Sequence, residues 1–225
     1  AVALAGGAAG RGAEAPSLAS LKGVNFVGHC RVARRAMDDP IVYPGQPGVS
    51  HDHTFVGNTT TGASSTYGSL LQGGTSCDRP GETAAYWMPT LLQRGAPVLP
   101  EDALVYYRRV TLAPVQPFPR GLKMIGGSSH AVAPQGLRVT SWNCGATAGV
   151  PSSATPPAAC PPTRGSSLKL HVTFPSCWDG RHLDSGDRRH RQRRRLYAGQ
   201  RLRHGFGWFA GDRGHHLHRL GLLGT

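Results

Sequence analysis

The residues best suited to chemistry fall in two short segments. One reads His51-Asp52-His53-Thr54-Phe55-Val56-Gly57-Asn58; the other reads Phe174-Pro175-Ser176-Cys177-Trp178-Asp179-Gly180-Arg181-His182-Leu183-Asp184. Histidines at i and i+2 project from the same face of an extended strand, so both imidazoles can reach one ion or one substrate atom. Imidazole ligates Zn and Cu alike, which makes His51 and His53 candidate metal ligands, with a third ligand drawn from elsewhere. Asp39, Asp179, Asp184 or Asp187 could complete such a set or work as acid and base. The candidate catalytic residues are therefore His51, His53, Asp179 and Asp184. The competing reading is structural: a His-x-His pair is often a hydrogen-bonded element of a sheet, with Asp52 facing away.

Asp179 and Asp184 also invite a glycosidase reading, since sugar hydrolysis uses two carboxyl groups about 5 to 9 Å apart. Sequence separation does not give that distance, and Asp179-Gly180 is equally a turn signal. Trp178, Trp87 and Tyr86 could form a stacking platform for sugar rings; as core aromatics they would do no such thing. Asn58-Thr59-Thr60 fits the glycosylation acceptor pattern. Gly126-Gly127-Ser128-Ser129 lacks the lysine of a phosphate loop.

Five cysteines are present, with no Cys-x-x-Cys pair, so zinc-ribbon and thioredoxin chemistry have no support. Wide spacing in a chain with 31 glycines and 18 prolines suits disulfides of an oxidising compartment. We expect Cys30 with Cys77 and Cys144 with Cys160, leaving Cys177 over, although spacing does not dictate connectivity. A nucleophilic Cys177 would need a histidine base beside it.

The elements that must position these residues are strands. Residues 24–30, the His-Asp-His segment, 84–92, 104–112, 122–125, 137–142 and 168–174 carry β-branched, aromatic or alternating apolar residues. Proline-punctuated or Ser/Thr-rich stretches separate them, at residues 39–48, 59–66 and 145–167. No amphipathic helix stands out. The expectation is a mainly β single domain, an antiparallel β-sandwich or jelly-roll with long loops. With 225 residues there is room for one such domain and tails. No apolar run reaches the length of a membrane span. Residues 1–22 read as a leader, either the remnant of a signal peptide with Ala13-Glu14-Ala15 near its cleavage region or a disordered Ala/Gly stretch.

The two segments, taken with Asp39-Pro40-Ile41-Val42, Ala85-Tyr86-Trp87-Met88-Pro89, Tyr106-Tyr107 and Phe118-Pro119-Arg120-Gly121-Leu122-Lys123-Met124-Ile125-Gly126-Gly127, resemble a family of secreted microbial proteins known as a domain of unknown function. The ordered set carries the resemblance, over residues 23–187. It implies an extracellular protein that acts on polysaccharide or cell wall through a His/Asp cluster, because family members are sometimes joined to lectin-like or wall-binding modules. A non-catalytic glycan-binding module is the alternative.

Charge sets the rest of the chain apart. Ten of the 25 basic residues but one of the 12 acidic ones fall in residues 188–225, so that stretch carries +9 of the net +13. Arg188-Arg189-His190-Arg191-Gln192-Arg193-Arg194-Arg195 shows neither helical nor alternating period. The resemblance implies an Asp-His pair, a second histidine and a later cysteine after Ser185, and Arg188 stands where the first histidine belongs. Residues 188–225 are thus expected to be an Arg-rich tail, disordered or translated out of frame. If genuine, the tail would bind polyanions or nucleic acid.

Overall fold

The computed structural model describes residues 25–109, 118–128, 131–145, 148–174 and 181–184, and the backbone of residues 202–210 and 220–223. Strand dominates. In chain order the strands are β1 (Asn25–Cys30), β2 (Val32–Ala36), β3 (His53–Gly57), β4 (Ala85–Pro89), β5 (Leu91–Gln93), β6 (Ala96–Val98), β7 (Asp102–Arg109), β8 (Lys123–Gly126), β9 (Thr140–Asn143), β10 (Leu168–Phe174), β11 (Leu202–Ala210) and β12 (Leu220–Leu223). One five-stranded sheet has the order β1-β7-β11-β10-β9 and a second β2-β3-β4-β12-β8, while β5 and β6 form a separate hairpin. Neighbouring strands pair antiparallel, as the alternating sequences led us to expect.

β10 shows how sequence makes this architecture. Leu168, Leu170, Val172 and Phe174 are buried while Lys169, His171 and Thr173 between them are half-exposed, the period of a strand with one covered face. That face meets the second sheet: Val56, Tyr86, Met88 and Met124 from one side and Ala103, Val105, Trp142 and Val172 from the other form one buried cluster. The result is a β-sandwich. β3 and β4 are buried along their whole length, so the second sheet is covered on its outer face too. There Phe55, Ala85, Trp87 and Ile125 pack with Ile41, Val42 and Leu70.

Leu70 comes from a short helix, α1 (Tyr67–Leu71), which the sequence reading did not anticipate. Its start is set by a reciprocal cap: Ser69 N–H donates to Thr66 Oγ1, and Thr66 N–H to Ser69 Oγ. Ile41 and Val42 are held by Asp39, whose Oδ1 accepts from both their amides, at 3.0 and 2.9 Å. Asp39 thus builds a turn, the role Asp side chains commonly take.

Both expected disulfides are present, Cys30–Cys77 and Cys144–Cys160. On the chain-entropy estimate, closing loops of 47 and 16 residues stabilises the fold by about 4 and 3 kcal/mol. Around the first bridge, Arg31 N–H donates to Ser76 O at 3.0 Å and Asp78 N–H to His29 O at 2.8 Å. The 75–78 segment thereby covers the free edge of β1. Cys177 lies outside the described residues.

β11 and β12 come from the segment read as an Arg-rich tail, and their backbones occupy interior places in the two sheets. Phe206 is in register with Val105 and Val172, and Trp208 with Ala103 and Leu170. For these 13 residues the backbone lies within the sandwich. Residues 188–201 and 211–219 lie outside the described set. Among the described residues, no helix is long and apolar enough to cross a membrane.

Candidate histidine site

β3 opens at His53, which is in register with Ala36 of β2 and Pro89 of β4. The alternation of the strand turns His53 and Phe55 toward the outer cluster, with ring centroids 6.2 Å apart in an edge-on arrangement. His53 is completely buried. Its Nδ1 lies 2.8 Å from the backbone carbonyl oxygen of Asp38. A carbonyl only accepts, so Nδ1 carries a proton and Nε2 is the basic nitrogen of the neutral ring.

His51, two residues earlier, is exposed, and its ring centroid sits 4.3 Å from that of His53. The i, i+2 spacing therefore does bring the two imidazoles together. One ring is locked in the protein and its neighbour faces solvent.

The surroundings are polar although buried. Ser50 is buried; its hydroxyl donates to His51 O at 2.8 Å, and Oγ stands 3.4 Å from His53 Nδ1. That arrangement excludes a Ser–His nucleophile pair here, because the hydroxyl proton is directed at a carbonyl and the nitrogen facing Oγ is a donor. The buried Asp38 carboxylate pairs with Arg34, and the Arg34 guanidinium lies 5.2 Å above the Phe55 ring. Asp52 points elsewhere, to Arg35 of β2 at 2.9 Å. Sequence reasoning singled out His51, His53 and Asp39 but missed Asp38, Ser50 and Arg34. The spacing of Arg34 and Asp38 was the one available hint.

Asp184 does not join this group. Its carboxylate meets Lys123 Nζ at 3.2 Å, and Lys123 N–H donates to Leu183 O at 2.8 Å. Lys123 is level with Leu223, Ala85 and Gly57, whereas His53 is level with Pro89 at the other end of the sheet. Three strands across and four residues along put Asp184 about 20 Å from His53. The expected His/Asp cluster therefore does not form with Asp184. Asp179, Asp187 and Trp178 lie outside the described residues.

The metal reading fares similarly. Two imidazoles fall short of the three protein ligands of a catalytic zinc site. Among the described residues, no group of three or more His, Cys, Asp or Glu is placed to hold a metal ion. The described residues therefore do not make up a Zn or Cu set.

Tyr86 and Trp87 are each 1% exposed, and as consecutive strand residues they face opposite sides of the second sheet. Trp87 stacks on Phe55 at 5.8 Å in the outer cluster, while Tyr86 belongs to the core between the sheets. Neither is open to a sugar ring, so the stacking-platform expectation is corrected for both. Asn58 is likewise buried, its Nδ2 donating to Leu70 O and its Oδ1 accepting from Thr60 N–H, both at 2.9 Å. It organises the loop after β3 and is no glycosylation site in the folded protein.

The fold and this site define a disulfide-stapled, antiparallel β-sandwich with a buried polar cluster beneath one exposed histidine. Residues 39–202 match the family described as Domain of unknown function (DUF1996), and the chain belongs to it. The match runs beyond Asp187, where the motif resemblance had ended. No curated protein and no solved structure matches the chain.

Proposed function

We propose that the protein works outside the cell on polysaccharide or cell-wall glycan, with His51 as the group that meets the sugar and moves a proton. The observation that carries this reading is the pairing of an exposed imidazole with a buried one whose tautomer the Asp38 carbonyl fixes. An imidazole that substrate can reach serves as general acid or base. Packing against a ring that cannot turn holds it in one orientation. A partly buried Arg34–Asp38 pair adds little stability over apolar residues of the same size, so its presence beside the histidines supports a positioning role. Two disulfides support the extracellular setting.

A non-catalytic glycan-binding module is the second reading, and a specific observation favours it. Asp38 is engaged by Arg34, Asp39 by two turn amides and Asp52 by Arg35, so each neighbouring carboxylate already has a structural task. The test is incubation of the full chain with a panel of insoluble polysaccharides. New reducing ends and oxidised products are measured in the supernatant, and retained protein in the pellet. Released product supports catalysis, retention without product supports the binding module, and neither result on any polymer overturns both.

A further inference from the structure

The end of the second sheet farthest from the histidines holds another polar assembly, which the proposed function does not use. Glu82, half-buried in the segment leading into β4, accepts a hydrogen bond from the Tyr86 hydroxyl, and that hydroxyl meets the hydroxyl of Tyr107. Tyr86 belongs to β4 and Tyr107 to β7, so three groups in a row link the two sheets to the 79–84 segment. Aromatic rings close around them: Tyr107 lies 5.7 Å from Phe26 and 5.8 Å from Phe118. The segment turns sharply here, with Gly81 at φ +84° and Glu82 N–H donating to Arg79 O at 3.0 Å.

We propose that Glu82, Tyr86 and Tyr107 form a proton-operated clasp, which holds residues 79–84 against both sheets while Glu82 is protonated and loosens when Glu82 ionises. Among the described residues, the charged and titratable neighbours are Arg79, Asp78 and the two tyrosines, and His204 of β11 is in register with Tyr107. Arg79 is committed elsewhere: its Nε donates to Val27 O at 3.0 Å, its guanidinium lies 5.8 Å over Phe26, and Asp78 stands 3.9 Å from it. Among the described residues, the Tyr86 hydroxyl is the one donor that reaches the Glu82 carboxylate. Burial disfavours the charged form of a carboxyl, while a hydrogen bond donated to it favours that form. Burial accordingly pushes the Glu82 carboxyl above the usual carboxylate value, and the bond from Tyr86 pulls it only partly back. Burial raises both tyrosine hydroxyls as well, so they remain protonated and, of the three clasp groups, Glu82 is the one that switches.

The sign follows from that direction. Glu82 is neutral in folded and unfolded chains below about its ordinary value of 4.5. Above it the unfolded chain ionises first, so the clasp weakens as pH climbs toward the raised folded value. The test is amide hydrogen exchange of the full chain across pH 4 to 7.5, corrected for intrinsic rates, comparing wild type with Glu82→Gln and Tyr107→Phe. We expect protection of residues 79–86 to fall several-fold with rising pH in wild type and to stay flat in Glu82→Gln. Tyr107→Phe should lower protection at acid pH. Parallel profiles for wild type and Glu82→Gln would overturn the proposal. Should the variants not fold, carboxyl-carbon NMR titration of wild type decides, since the chain has only the glutamates Glu14, Glu82 and Glu101. A Glu82 signal that titrates at the ordinary value would also overturn it.

Discussion

His53 donates its Nδ1 proton to the backbone carbonyl of Asp38 at 2.8 Å, and this single bond joins the start of β3 to the loop that covers the second sheet. It fixes the tautomer of the buried ring and, through ring contact, the place of the exposed His51 ring. The two histidines therefore have different tasks, although their spacing makes them look alike.

Replacing them should separate those tasks. His53→Ala removes a buried hydrogen bond and leaves a cavity beside Phe55, at a cost of about 2 to 4 kcal/mol. His51→Ala, at an exposed position, should change stability by less than about 0.5 kcal/mol. Denaturant unfolding of the two variants checks this; equal losses would show that both rings are structural.

The Arg34–Asp38 pair makes a second prediction. Arg34→Ala leaves the Asp38 carboxylate buried without its partner, and should cost about 2 kcal/mol, toned down from a fully buried pair because Arg34 is about a third exposed. Adding Asp38→Asn to it should recover part of the loss, read from a double-mutant cycle by urea unfolding. Strict additivity would show that the ion pair does not position the loop.

Much of the sandwich was legible because strand signals are local. Leu168 to Phe174 alternates cleanly, and β4 and β7 are rich in aromatic and β-branched residues. β2 was missed because Val32 to Ala36 has two adjacent arginines and no clean alternation, yet charge suits a strand at the edge of a sheet. β11 was missed because the arginine run drew attention from the alternation of Leu202, His204, Phe206 and Trp208. Within the site, the meeting of His51 and His53 was legible from spacing alone. The distance to Asp184 was not, since it depends on which strands lie between. Asp38 was out of reach for another reason: it acts on His53 through a backbone carbonyl, which every residue has. The burial of Tyr86 and Trp87 was equally hidden, because adjacent aromatics on a strand read the same whether covered or open.

The tail bears on the reading frame of the gene. We predict that a one-base shift after the codon for Asp187 gives a less basic sequence with histidines and a further cysteine. It should also hold two alternating apolar stretches able to take the places of β11, between β7 and β10, and of β12, between β4 and β8. Sequencing the coding DNA checks this. If neither alternative frame supplies such a sequence, residues 188–225 are the domain's own, and polyanion binding through Arg188 to Arg195 regains its standing.

The central claim is that His51 is the working group of a polysaccharide-directed protein. The most direct measurement is the rate of product release by His51→Ala against wild type, on whichever polysaccharide the panel shows to be turned over. Loss of a general acid or base lowers such a rate by about 100-fold or more. The account predicts a drop of that size with the melting temperature unchanged; equal rates for the two proteins would contradict it.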